Sequence, residues 1–82
     1  MLKTVAVNID EIYVPAERRK ELSPEKVEEI AESIMDGTEE RPIQVRRGKD
    51  RFVLVKGVNR LEARKSLGDT VIHAYIVSAQ KH

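Results

Sequence analysis

The chain has no cysteine, so disulfides, thiolate metal sites and every thiol-based mechanism are excluded at once. Aromatic residues are scarce: Tyr13, Phe52 and Tyr75 are the whole set, too few to suggest a platform on which successive bases stack. No apolar run approaches the roughly 20 residues that cross a bilayer, and Met1, Leu2, Lys3, Thr4 and Val5 lack the apolar stretch of a signal peptide. The expected location is therefore the cytoplasm, with no membrane partner. Nor is there a surplus of one charge. Fifteen Lys and Arg stand against 14 Asp and Glu, a formal net charge of +1, which offers no general attraction to nucleic acid or acidic lipid. Any anion site must be local. No internal repeat, low-complexity stretch or Gly/Ser linker interrupts the chain, so residues 1–82 are expected to form one small domain.

What is present reads as alternating strands and helices. Val5, Val7 and Ile9, then Ile12, Tyr13 and Val14, form a short β segment ended by Pro15 and followed by a charged loop, Glu17, Arg18, Arg19, Lys20 and Glu21. Ser23 and Pro24 open the first long helix, as N-cap and first helical residue. Val27, Ile30, Ala31 and Ile34 repeat at helical spacing and mark its buried face, and Gly37 stops it. Residues 43–46 and 52–55, separated by Arg47, Gly48, Lys49 and Asp50, predict a β-hairpin. Gly57 separates the hairpin from a second helix over about residues 59–67, stopped by Gly68, and a last strand covers 71–77. The order β-α-β-β-α-β is an α+β pattern: a small mixed β-sheet packed by two main helices.

The strand-to-helix junction at residues 57–60 carries the chemistry. The first N–H groups of a helix lack internal partners and the helix dipole adds partial positive charge, so phosphate binds readily there. Gly57 allows close approach of a ligand to the backbone, and Asn59 is suited to cap the helix, with Glu62 completing a capping box, or to touch the ligand itself. Laid out at about 100° per residue from Arg60, Ala63 falls near −60°, Leu67 near −20°, Arg64 near +40° and Leu61 near +100°. Arg60 and Arg64 thus lie within the arc marked as core-facing. A guanidinium aimed at a packed sheet requires an anion, because an unpaired buried charge costs several kcal/mol. That anion is either a ligand phosphate or one of the chain's own carboxylates. On the first helix, Lys26 and Ser33 sit on the shoulder of the apolar face, where a cation and a hydroxyl would border a pocket or simply edge an amphipathic helix.

The run from Val27 to Ile34, then Pro42, Ile43, Gln44, Val45 and Arg46, then the stretch from Phe52 through Gly57, Val58, Asn59 and Arg60 to Ala63, resembles the N-terminal domain of ParB-type proteins, the ParB/sulfiredoxin superfamily. The resemblance covers residues 9–77. It implies a ParB/sulfiredoxin-like fold whose Gly-x-x-Arg turn holds nucleotide phosphates: CTP in partition proteins, ATP in sulfiredoxins, adenine nucleotide in a related archaeal serine kinase. On that footing Gly57, Val58, Asn59 and Arg60 bind phosphate, Lys26 and Ser33 contact nucleotide, Arg64 adds a contact or pairs internally, and the ligand is CTP, ATP or ADP with magnesium. Val58 stands where sulfiredoxins carry their cysteine, so sulfinic-acid reduction is excluded. Val58-Asn59-Arg60 stands where partition proteins usually carry Glu-Arg-Arg, so nucleotide affinity or hydrolysis is expected to be weaker.

An NTP hydrolase or phosphotransferase activity would need a base. Glu29 and Glu32 are the candidates, although a charged helix face is usually a solvated one. His73 reads as structural, and no paired carboxylates for a two-metal site are evident. A competing reading is a module that binds DNA or a partner protein through Arg18, Arg19, Lys20 and the hairpin cations Arg46, Arg47, Lys49 and Arg51.

Overall fold

A computed structural model describes residues 3–39 and 41–78. In it the chain opens with strand β1 (Thr4–Asn8), a 3-10 turn (Ile9–Glu11) and strand β2 (Ile12–Tyr13). A one-turn helix α1 (Ala16–Arg19) and the long helix α2 (Pro24–Asp36) follow. Strands β3 (Ile43–Arg47) and β4 (Phe52–Lys56), helix α3 (Val58–Ser66) and strand β5 (Val71–Ile76) complete it. The five strands form a single mixed sheet in the order β1-β5-β3-β4-β2. β1 pairs antiparallel with β5 and β3 with β4, whereas β3–β5 and β2–β4 are parallel.

The local signals act as expected around α2. Ser23 caps it by accepting a hydrogen bond from the Lys26 N–H at 3.4 Å, Pro24 occupies the first turn, and Gly37 ends it in the left-handed region at φ 79°. The hairpin forms one residue longer on each strand, and its tip is held by the Gly48 N–H donating to the Arg51 carbonyl at 2.7 Å.

Three expectations are corrected. The first β segment is two strands rather than one: the 3-10 turn after Asn8 sends β1 and β2 to opposite edges of the sheet. That crossing is a long-range choice with no local signature. Residues 16–19 of the expected charged loop make a helical turn, started by Pro15, whose carbonyl accepts from the Arg18 and Arg19 N–H groups. Finally, the apolar stripe of α2, expected to be a buried face, is only half-buried: the helix packs against α3 and none of its residues is fully buried.

The core lies between the sheet and α3. Val7, Ile43, Val45, Leu54, Ile72 and Ala74 from the strands meet Val58 and Leu61 from α3. Ala63, fully buried but outside that cluster, belongs to the α2 side of the same helix. With Val58 taken as zero, Leu61 lies at about −60° and Ala63 at about +140°, leaving Arg60 near −160° and Arg64 near −120°. The two arginines therefore occupy the flank between a sheet-facing side and an α2-facing side. This replaces the single core-facing arc expected from the sequence, and Leu67, assigned to that arc, is 36% exposed.

Candidate functional site

Gly57 is the N-cap of α3 at φ 111°, a conformation that side chains rarely adopt. A Cβ built there would lie 2.7 Å from Ile43 Cγ2 and 3.0 Å from Ile43 Cβ. The space expected for a ligand against this glycine is filled by the neighbouring strand, so packing alone demands Gly57. Val58 is 5% exposed and its side chain belongs to the core, which leaves only its backbone N–H available to a ligand. Because Gly57 has no side chain, no side-chain cap occupies the first N–H groups of α3, and the first helical bond runs from the Leu61 N–H to the Gly57 carbonyl at 2.9 Å.

Asn59 does not cap its own helix, and the capping box with Glu62 is not formed. Its Oδ1 accepts from the Ser23 N–H at 2.8 Å and its Nδ2 donates to the Glu21 carbonyl at 3.3 Å. Asn59 thus clamps the entrance of α2, a contact across 36 residues that no local pattern announces.

The anion that Arg60 requires is supplied from within the chain. Arg60 Nε donates to a Glu39 carboxylate oxygen at 3.1 Å, with the two side chains only 21% and 10% exposed. Glu39 also accepts from the Arg41 N–H at 3.0 Å and from Arg41 Nη2 at 3.4 Å. Burial pushes its pKa up, but the Arg41 N–H and the Arg60 and Arg41 guanidinium groups outweigh that effect, and the carboxyl is held below its ordinary value. Glu39 reaches this position because the Ser33 carbonyl at the end of α2 accepts from the Thr38 N–H at 2.9 Å and the Glu39 N–H at 3.2 Å. Ser33 therefore contributes to the site through its backbone. Lys26 is exposed on α2.

Arg60 lines a cleft of about 360 Å³ together with Arg41, Pro42, Gln44, Lys56 and Tyr75, at the small end of ligand pockets. Arg64 is drawn elsewhere. Its Nη1 pairs with Asp69 at 3.2 Å, and it borders a separate cleft of about 500 Å³ with Thr70, Ile72 and His73. Of the site residues singled out from the sequence, Arg60 lines the first of these clefts, whereas Gly57, Val58, Asn59, Lys26, Ser33 and Arg64 are not among its lining residues. Sequence reasoning missed Glu39, Arg41 and Lys56. Only Lys56 carried a usable signal, being a charged residue at the strand end just before the Gly57 turn.

The sequence matches the family model described as ParB N-terminal domain over residues 2–82. It is 32% identical over 81 residues to a chromosome-partitioning protein ParB of Campylobacter jejuni, covering 98% of this chain and 29% of that protein. The fold is similar to sulfiredoxin from Arabidopsis thaliana, with a TM-score of 0.80 and 26% identity over 94% of this chain and 86% of that one. It is also similar to a free serine kinase in complex with AMP, with a TM-score of 0.76 and 18% identity over 93% of this chain and 31% of that one. A pNOB8-like ParB N-domain gives a TM-score of 0.75 at 21% identity, over 98% and 29% of the two chains.

Proposed function

The chain belongs to the ParB N-terminal domain family, and from that premise we propose that it is a nucleotide-binding module whose phosphates lie at the first turn of α3. One observation carries the reading: Arg60, in the first turn of a helix whose N-cap supplies no side-chain hydrogen bond, lines a cleft together with two further cations, Arg41 and Lys56. A helix N-terminus offers hydrogen bonds and partial positive charge, and guanidinium groups add bidentate recognition of phosphate oxygens. The AMP carried by the similarly folded serine kinase gives the same reading weaker support, through the fold alone.

The donors fit phosphate better than a bare metal ion. Glu39 is the carboxylate at Arg60, and it is already engaged by Arg60 and Arg41. Magnesium is therefore carried by the nucleotide's own phosphates and water, a common arrangement for this ion. The chain's residues neutralise and orient phosphate. Val58 leaves no thiol for the sulfiredoxin reaction, and Glu29 and Glu32 are exposed on α2.

Calorimetric titration with CTP, ATP and ADP in the presence of magnesium tests the proposal. Heat of binding is expected for at least one of them, with affinity reduced roughly tenfold or more in Arg60→Ala. Absence of heat at millimolar nucleotide, or unchanged affinity in Arg60→Ala, would overturn it.

A further inference from the structure

Charge is distributed unevenly over the molecule in a way that the net charge of +1 conceals. Helix α2 carries Glu25, Glu28, Glu29, Glu32 and Asp36 against a single Lys26. Beside this helix runs a groove of about 440 Å³ whose apolar lining is Leu22, Pro24, Val27 and Ala31. Glu28 on the α2 wall and Glu62 and Ser66 on the α3 wall complete it, so the charged lining residues are carboxylates alone.

Helical phase accounts for the arrangement. With Val27 taken as zero at about 100° per residue, Ala31 falls near +40°, Pro24 near +60° and Met35 near +80°, followed by Glu28 near +100° and Glu32 near +140°. The apolar stripe of α2 is wider than α3 covers. Ile30 and Ile34, near −60° and −20°, are half-buried, whereas Leu22 and Pro24 are exposed and Met35 is 72% exposed. From Pro24 to Met35 the uncovered side runs about 16 Å along the axis, the length of three turns. Cations lie elsewhere. Lys26 falls near −100°, on the opposite shoulder of α2. Lys65, paired with Glu62 at 3.9 Å, does not line the groove, nor do Arg18, Arg19 and Lys20, which precede Leu22.

We propose that this groove docks a basic amphipathic helix of another polypeptide. An apolar floor three turns long matches a helix presenting apolar residues at i, i+3 or i+4, and i+7, and the unbranched Met35 side chain adapts to whatever packs on it. Charge selects the occupant. Carboxylates on both walls attract a helix whose flanks carry Lys or Arg, and they repel an acidic helix, nucleic acid or anionic lipid. A second copy of this chain is a poor occupant, because its own basic helix, α3, has Val58 and Leu61 committed to the core. The surface is separate from the proposed nucleotide site, since no residue lines both the groove and the Arg60 cleft.

Fluorescence anisotropy tests the assignment with a labelled model peptide of roughly 14 residues, leucine at the i, i+3, i+4 and i+7 positions and lysine elsewhere. Two controls accompany it: the same composition scrambled to destroy the apolar stripe, and glutamate in place of lysine. The basic amphipathic peptide is expected to bind at least roughly tenfold more tightly than either control. Glu28→Lys combined with Glu62→Lys is expected to weaken binding roughly tenfold and Leu22→Ser roughly fivefold. Glu29→Lys, a charge reversal near −160° on the far side of α2, is expected to leave it within about twofold. Circular dichroism melts establish that each variant is folded. Equal binding of a control peptide, no anisotropy change with the basic one, or an equal loss in Glu29→Lys and Glu28→Lys would overturn the proposal. So would a dimer in sedimentation that Leu22→Ser abolishes, since the groove would then hold a second copy.

Discussion

At the scale of single residues, the Glu39–Arg60 pair decides how the candidate site behaves. The guanidinium proposed to meet a phosphate is held in the free protein by a carboxylate 10% exposed. A ligand must displace Glu39 or tolerate its charge, while the contacts from Arg41 give the released carboxylate an alternative home. Glu39→Gln is therefore expected to raise nucleotide affinity several-fold in calorimetry, because the competing charge is gone, while reducing stability by roughly 1 kcal/mol. The pH dependence has a definite sign. The folded pKa of Glu39 lies below its ordinary value, so its contribution is complete above the unfolded pKa and fades as pH falls through the folded one. The Tm difference between wild type and Glu39→Gln is expected to be constant above about pH 5 and to shrink on acidification below it. A difference that grows toward acid would contradict the assignment.

Gly57 offers a second residue-scale test, because two independent demands fall on it. Its φ of 111° and the 2.7 Å approach of Ile43 both reject a side chain. Gly57→Ala is expected to cost roughly 3 kcal/mol in urea unfolding. Gly37→Ala, at φ 79° with nothing within 4 Å of the added Cβ, is expected to cost roughly 1 kcal/mol. The contrast separates backbone strain alone from strain with overlap.

Among the elements, α2 is the one whose sequence and placement differ most in what they say. Its N-cap, first-turn proline and left-handed Gly37 were readable from neighbours within four residues, since caps are local hydrogen bonds. Its packing was not. The helix rests on α3 and is tied at its entrance by Asn59 and, past its end, through Glu39 to Arg60. Two consecutive residues of α3 thus hold both ends of α2. With no fully buried residue of its own, α2 is expected to exchange its amide protons faster than α3 and β3. Asn59→Ala, which orphans the Ser23 N–H, is expected to accelerate α2 exchange further and to lower stability by roughly 1–2 kcal/mol, with the sheet amides little changed. Uniform acceleration across the molecule would show that α2 does not open separately. Asn59→Asp keeps the Oδ1 acceptor and should recover much of the loss.

For the whole molecule, the distribution of charge matters more than its sum. Balanced Lys, Arg, Asp and Glu suggested a surface without general affinity for polyanions. Strand register instead places Arg46 and two of the three aromatic rings, Tyr13 and Tyr75, on the sheet face turned away from the core, and α2 carries a concentration of carboxylates. Composition cannot reveal such a division, because it averages over faces that only the fold separates.

The sequence by itself determined the order of helices and strands after residue 23, the hairpin, the absence of thiol chemistry and the membership of the chain in its family. These depend on contacts within a turn of chain, or on a pattern carried along most of its length. The tertiary structure decided the rest: that β1 and β2 part to opposite edges, that Val58 faces inward, that Asn59 serves another helix, and that Arg60 meets Glu39. A lone arginine on a helix states that an anion is needed. Which anion comes within reach depends on how segments 21 or 36 residues apart are brought together, and that is set by packing of the whole chain.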